Sequence, residues 1–167
     1  LIWGPSNCPP ATGAFDVLSM TEVNHGANRR EHFEPGWLTE QFPAHQSLQP
    51  GLRKARRGVK SLVRLSDRVE RLRNHRPDMI AGKIPALWLD GSGRVQQTLP
   101  ADRGENGLDC RGTYDLVRLE HFALRSLDSY LAKMYRGDVV VTGKQVSRTY
   151  WRTRNSDEER SGDYGPV

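Results

Sequence analysis

His121 is the residue in this sequence whose type and setting offer the most chemistry. It closes the apolar-rich run "YDLVRLEHFAL" and stands just before the amphipathic segment "SLDSYLAKMYRG". A neutral imidazole binds divalent transition metals and serves as an acid or base near neutral pH. A strand end before a helix is also where α/β folds place functional groups. The same position suits a histidine satisfied by backbone hydrogen bonds, and residue types alone favour that structural role. Arg125 lies four residues on, at a helix start that already attracts anions, where a cation could offset the charge of a leaving group. Lys133 and Arg136 fall in the last turn, where the helix dipole alone accounts for them. His75, in "NHRP" beside Arg76, could contact a phosphate or anchor its loop. Glu22 and Asp16 flank an expected helix start; either could act as a general base, or be an exposed helix acid. Trp3, Trp37 and Trp88 could stack on sugar rings or pack in a core.

The elements that must position these residues follow from pattern. "LIWG" reads as a strand end, and the Gly, Pro, Ser and Asn of "GPSNCPPATG" as a turn. A short helix is expected near 18–32, although Gly26 interrupts it. Residues 34–51 carry Pro35, Gly36, Pro43, Pro50 and Gly51, which predicts a loop with short helical turns. "GVKSLVRL", 58–65, alternates and is rich in β-branched residues, so a strand is expected. "SDRVERLRNHRP" reads as a helical turn or loop ending before Pro77. "IPALWLDGSGRVQQTLP" reads as a β-hairpin, and 101–113 as a surface loop. "YDLVRLEHFAL" is a strand with Leu116 and Val117 inward. Ser126 caps the helix that follows, Asp128 favours its first turn, and Gly137 stops it. Leu127, Leu131 and Met134, with Tyr130 beside them, form its expected apolar face. "GDVVVTG" is extended or a loop, "SRTYWRTRN" a second helix packed through Tyr150 and Trp151, and residues 156–167 a polar, frayed tail.

Composition bounds the function. The 167 residues suit one domain or a large part of one, at 36% hydrophobic and 27% charged. The abrupt opening on Leu1 suggests a fragment. No apolar run approaches the roughly 18 residues of a membrane span, and no signal peptide pattern occurs. Cys8 and Cys110 have no metal-ligand spacing; they read as isolated thiols in a reducing compartment, with a disulfide open on count alone. The net charge of +5 owes much to residues 53–76, with 10 Arg or Lys against 2 acids. Such a block suits a solvated face, an anionic polymer, a lipid surface or a diphosphate. No aromatic or zinc-finger pattern accompanies it, so nucleic acid is not the expected partner.

The ordered set "IWGPSN", "MTEVN", "GVKSLVRL…NHRP", "HFALRSLDSYLAKMYRGDV" and "YWRTRN" resembles the C-terminal part of bacterial glycosyltransferase family 2 proteins. The resemblance runs along nearly the whole chain, with 1–155 in the catalytic domain and 156–167 as its tail; "MTEVN" would lie on a helix. It implies an α/β, partial GT-A-like (nucleotide-diphospho-sugar transferase) fold, a mixed sheet with flanking helices. It implies sugar transfer, with inversion, from a nucleotide-sugar donor to a carbohydrate acceptor hydroxyl in cell-surface polysaccharide or glycoconjugate synthesis. The implied cofactor is Mg²⁺ or Mn²⁺, with His121 as its last ligand. Arg125, His75, Lys60, Trp3 and Gly4 would face the substrates, and Glu22 would be the base. The implied location is cytoplasmic, with the inner face of the membrane and peripheral membrane contact as its open variant. The family's Asp-x-Asp is missing from these 167 residues and is expected before Leu1, with the donor-binding half, which leaves this chain inactive alone. "IWGPSNCPP" also departs from the family's aromatic-Gly-Ser-x-Gly form. The alternative is a non-catalytic basic module that binds an anionic polymer or membrane surface through 53–76.

Overall fold

The computed structural model describes residues 2–3, 15–48, 58–80, 87–96, 113–137, 143 and 146–160. The chain forms two compact units. The first takes residues 1–22 and 53–119, the second 23–52 and 120–167. The whole is α/β with a mixed sheet and a few helices.

The first unit is built on β2, Val17–Asn24, whose eight residues are all buried; its last two belong to the second unit. Its sheet runs β1 (Ile2–Trp3), β8 (Val117–His121), β2 and β4 (Val59–Val63), and β7 (Trp88–Leu89) also pairs with β2. β4 joins β2 antiparallel and β7 joins it parallel. One face of β2 contributes Val17 to a core with Val59 and Trp88, with Val63 and Met79 against it. The other contributes Leu18 and Met20, with Leu89 and Val117.

This strand stands where a helix over 18–32 was expected, and "MTEVN" is strand as well. A central strand covered on both faces loses the alternation that marks a half-exposed one. Its polar residues are satisfied internally: Ser19 Oγ meets Ser61 Oγ at 2.8 Å and accepts from Trp88 Nε1 at 2.8 Å. Beyond the strand, Asn28 and Arg29 adopt φ of 50° and 57°, a left-handed pair that no right-handed helix passes through.

β4 agrees with the expected strand. The helical turn expected over 66–77 is instead β5, Val69–Leu72, paired antiparallel with β6, Pro77–Met79, and bulged between Val69 and Arg71. Pro77 opens β6, a strand position that tolerates its missing N–H. The hairpin at "DGSG" is present in a short form. Asp90 Oδ1 accepts from the N–H groups of Ser92 and Arg94, at 2.9 and 3.0 Å, and Leu89 bridges Val95.

In the second unit, α1 (Leu38–Gln41) is a single helical turn, in keeping with the Pro- and Gly-rich sequence around it. β3 (Ala44–His45) pairs antiparallel with β9, Glu159–Arg160. The start of the polar tail is therefore held rather than frayed. Glu158 N–H donates to the His45 carbonyl at 2.9 Å, and Ser47 N–H donates to the Glu158 carboxylate at 2.9 Å.

α2 is Leu127–Arg136 and α3 is Arg148–Arg154. Tyr130 turns inward from α2 onto Trp151, 4.7 Å between rings, and lies 6.4 Å from Tyr150. Its hydroxyl donates to the Ser147 carbonyl at 2.6 Å, and burial raises the phenol pKa above 10.0. The inward face thus runs through Tyr130, Lys133 and Met134, while Leu127 and Leu131 lie exposed, contrary to expectation. Ser126 and Gly137 occupy the expected cap positions, the glycine at φ 84°. The expected loop over 101–113 lies outside the described residues except for Thr113, and the "GDVVVTG" run except for Gly137 and Gly143. Cys8, Cys110 and Gly4 lie outside them as well.

Candidate functional site

β2 ends on Asn24, inside the second unit, and β8 ends there on Glu120 and His121. The N–H of His25, the residue after β2, donates to the His121 carbonyl at 3.0 Å, which fixes the two strand ends side by side. Successive strand residues point to opposite faces, so the two strands offer two separate pairs.

The first pair is Asn24 with His121. The Asn24 amide is 1% exposed. One of its atoms faces both His121 Nδ1, at 2.8 Å, and Arg154 Nη1, at 3.0 Å; the other faces Gln46 Oε1 at 3.0 Å. A guanidinium only donates, so the shared atom is Oδ1. His121 Nδ1 therefore carries its proton toward Asn24, and in the neutral ring the lone pair resides on Nε2. That fixed tautomer is what a metal-ligating or proton-accepting histidine needs.

The second pair is His25 with Glu120. His25 is fully buried, and its Nδ1 donates to the Phe42 carbonyl at 2.6 Å. Its Nε2 lies 2.6 Å from Glu120 Oε2. One proton sits in that contact, either as imidazolium and carboxylate or as imidazole and carboxylic acid. Phe122 stacks on the His25 ring at 4.3 Å and His45 meets it edge-on at 5.4 Å. The pair is a buried brace for the strand ends.

Around them the second unit gathers further polar groups. Asn155 Oδ1 accepts from Ala27 N–H at 2.8 Å. A Cβ on Gly26 would come within 2.2 Å of Asp157 Oδ1, so glycine lets the two segments close. Burial raises the Asp157 carboxyl pKa, against the pull of a hydrogen bond from Asn28. Lys133 Nζ donates to the Ala123 carbonyl at 3.1 Å and stands 4.6 Å from the Tyr150 ring centre, with Arg154 on that ring at 5.6 Å. Lys133 therefore does more than complement a helix dipole.

The residues singled out by sequence fall into both units. His121 is half-buried at the end of β8, and Arg125 is exposed in the β8–α2 connection with φ 63°. Trp37, Lys133 and Arg136 belong to the second unit as well, and Glu22, Asp16, Lys60, His75, Trp3 and Trp88 to the first. Glu22, expected beside a helix start, lies in mid-strand at 2% exposure, with Gly58 against its carboxylate. A general base must reach the proton it removes, and this side chain presents almost no surface. Asp16, paired with it in that expectation, is structural: its Oδ2 accepts from Arg68 Nη1 and Leu87 N–H, each at 2.8 Å.

Lys60 and His75 do come together. Lys60 Nζ donates to the Asn74 carbonyl at 3.0 Å and His75 Nδ1 to the Val59 carbonyl at 2.9 Å, pinning the β5–β6 connection to β4. Trp3 pairs through its backbone with Val117. Trp88 is core and Trp37 is exposed. Within the basic block, 53–57 lie outside the described residues. Lys60 and Arg68 are engaged as above, and Arg73 Nε reaches Asp78 Oδ2 at 2.6 Å.

Asn24, Gln46, Glu120, His25 and Arg154 were not anticipated. The signal was the repeated polar-His ending, "VNH" and "LEH", of two neighbouring strands. Among the described residues no three His, Cys, Asp or Glu side chains gather as a metal site. His121 alone would supply one nitrogen donor, and the described residues hold no complete ligand set for a hard cation. No helix among the described residues is long and apolar enough to cross a membrane. Searches of protein-family models, curated proteins and solved structures return no match to this chain.

Proposed function

We propose that the chain is the C-terminal part of a GT-A-type, family 2 glycosyltransferase, which moves a sugar from a nucleotide-sugar donor to an acceptor hydroxyl. The observation that carries the reading is the orientation of His121 by Asn24 and Arg154. Other residues of the segments that resemble the family also meet in the second unit: Lys133 with Tyr150 and Tyr130 with Trp151.

In this reading His121 supplies a nitrogen ligand to Mg²⁺ or Mn²⁺, which would offset charge on the departing diphosphate. Asn24 is a positioning residue that holds Nδ1–H, so that Nε2 is the donor atom. Arg154 and Gln46 hold Asn24. Arg125, exposed beyond the strand end four residues after His121, is the cation that would face an anionic substrate.

The test is nucleotide-sugar hydrolysis and transfer by the complete gene product that contains this chain, with Mn²⁺ varied. His121→Ala is expected to lower the rate on the order of 100-fold. Asn24→Ala is expected to lower it about 10- to 100-fold and to raise the Mn²⁺ concentration required. Activity of His121→Ala equal to wild type at saturating Mn²⁺ would sink the ligand assignment. Absence of any transfer or hydrolysis across donor sugars would sink the enzyme.

A further inference from the structure

Between β8 and α2 the chain turns a corner over 122–126, and its residues divide sharply by burial. Ala123, Leu124 and Ser126 are 8%, 2% and 1% exposed, while Arg125 among them is exposed. Arg125 also takes a φ of 63°. That is the left-handed region, which glycine enters freely and a long side chain does not. Backbone of this kind persists only where its surroundings determine it.

Both flanks of Arg125 are determined. After it, the Ser126 carbonyl accepts from Tyr130 N–H at 3.0 Å, and Ser126 Oγ meets Asp128 and Ser129. Before it, the Ala123 carbonyl accepts from Lys133 Nζ at 3.1 Å. That ammonium is itself fixed by Tyr150, whose phenol oxygen lies 3.4 Å away and whose ring centre lies 4.6 Å away. Lys133 thus ties the corner to α3. The first N–H groups of α2 are already used: those of Leu127 and Asp128 donate to the Arg30 and Glu31 carbonyls, and that of Ser129 to Asp128 Oδ1. An anion at this corner is therefore met by the guanidinium and not by the helix start. Among the described residues that guanidinium enters no hydrogen bond or ion pair.

We propose that Lys133 is a positioning residue: through the Ala123 carbonyl it holds the corner that presents Arg125 to the diphosphate of the donor. The inference rests on the glycosyltransferase reading and adds to it a residue that touches neither metal nor substrate.

The experiment is steady-state transfer or hydrolysis by the complete gene product that contains this chain, with uridine and guanosine diphosphate sugars as donors and Mn²⁺ saturating. Lys133→Met keeps the aliphatic stem and loses the N–H donors. It is expected to raise the donor KM about tenfold while kcat and the Mn²⁺ requirement stay within about twofold, the pattern of lost binding without lost chemistry. Arg125→Ala is expected to raise KM at least as much. The double variant is expected to be no worse than Arg125→Ala, because Lys133 acts through that side chain. Lys133→Arg, which keeps a cationic donor, is expected to recover most of the loss. Lys133→Gln carries the test if a thermal melt shows Lys133→Met to be unfolded. An unchanged KM in the lysine variants overturns the inference. So does a double variant whose KM rise is the product of the two single rises, with the enzyme reading intact. Turnover of no donor by the wild type overturns the reading, and the inference with it.

Discussion

Asp128 shows how a single exposed carboxylate can be committed to local structure. The Ser126 hydroxyl is the main cause that holds its pKa below 3.8, and the Phe33 and Ser129 N–H groups add to it. Each donor prefers the ionised form. Because the folded pKa is depressed, the carboxylate's contribution is complete above 3.8 and is lost as pH falls through the lower folded value. A carboxyl NMR titration should therefore place Asp128 below 3.8, and Ser126→Ala should move it back toward that value. A titration at or above the ordinary value would contradict the helix-start geometry. At this scale the sequence was partly legible. Ser126, Asp128 and Gly137 declare their cap positions by type. Asn24 does not, because its role depends on a guanidinium 130 residues away.

Among the elements, the short hairpin that follows β7 depends on a close backbone approach. A Cβ on Gly91 would lie 2.3 Å from the Thr113 carbonyl oxygen and 2.7 Å from that of Val117. Both obstacles are main chain, and Gly91 also accepts from the N–H groups of Leu116 and Val117. Gly91→Ala is thus expected to cost about 1–3 kcal/mol in a denaturant melt. A variant as stable as wild type would show that the 113–117 turn yields freely. The elements explain which parts of the fold could be read. β4 alternates and was visible; α3 announces itself through Tyr150 and Trp151. β2 does not read as a strand because Ser19, Thr21, Glu22 and Asn24 interrupt its apolar residues. Their partners on β4, β8 and the loops make such a strand affordable inside, and no local pattern reveals partners that distant. β5 and β6 were hidden by Arg71, Arg73 and Asn74, whose exposure suits an edge hairpin as well as a turn.

At the scale of the molecule, each unit is assembled from two separated stretches of chain. In the second, α3 supplies Trp151 beneath Tyr130 and Arg154 to Asn24, while β9 closes on β3. A chain cut after Ser147 should retain the first unit's sheet and lose the orientation of His121. Histidine NMR would show this as an Nδ1–H signal that broadens or vanishes. Preservation of that signal would mean that Asn24 positions the ring without Arg154.

The two strands shared by the units have a temporal consequence. Ala27 meets Asn155 across 128 positions, so the early stretch 23–52 completes its contacts only when residues near 155 have been made. On a ribosome the segment bearing Asn24 and His25 emerges long before the residues that neutralise and pack it. Contacts of such span slow folding because loop closure precedes their reward. The nascent chain can pair Asn24 with Gln46 and His25 with Phe42 early, while the contacts to Glu120, His121 and Arg154 that complete the site form only after those residues emerge.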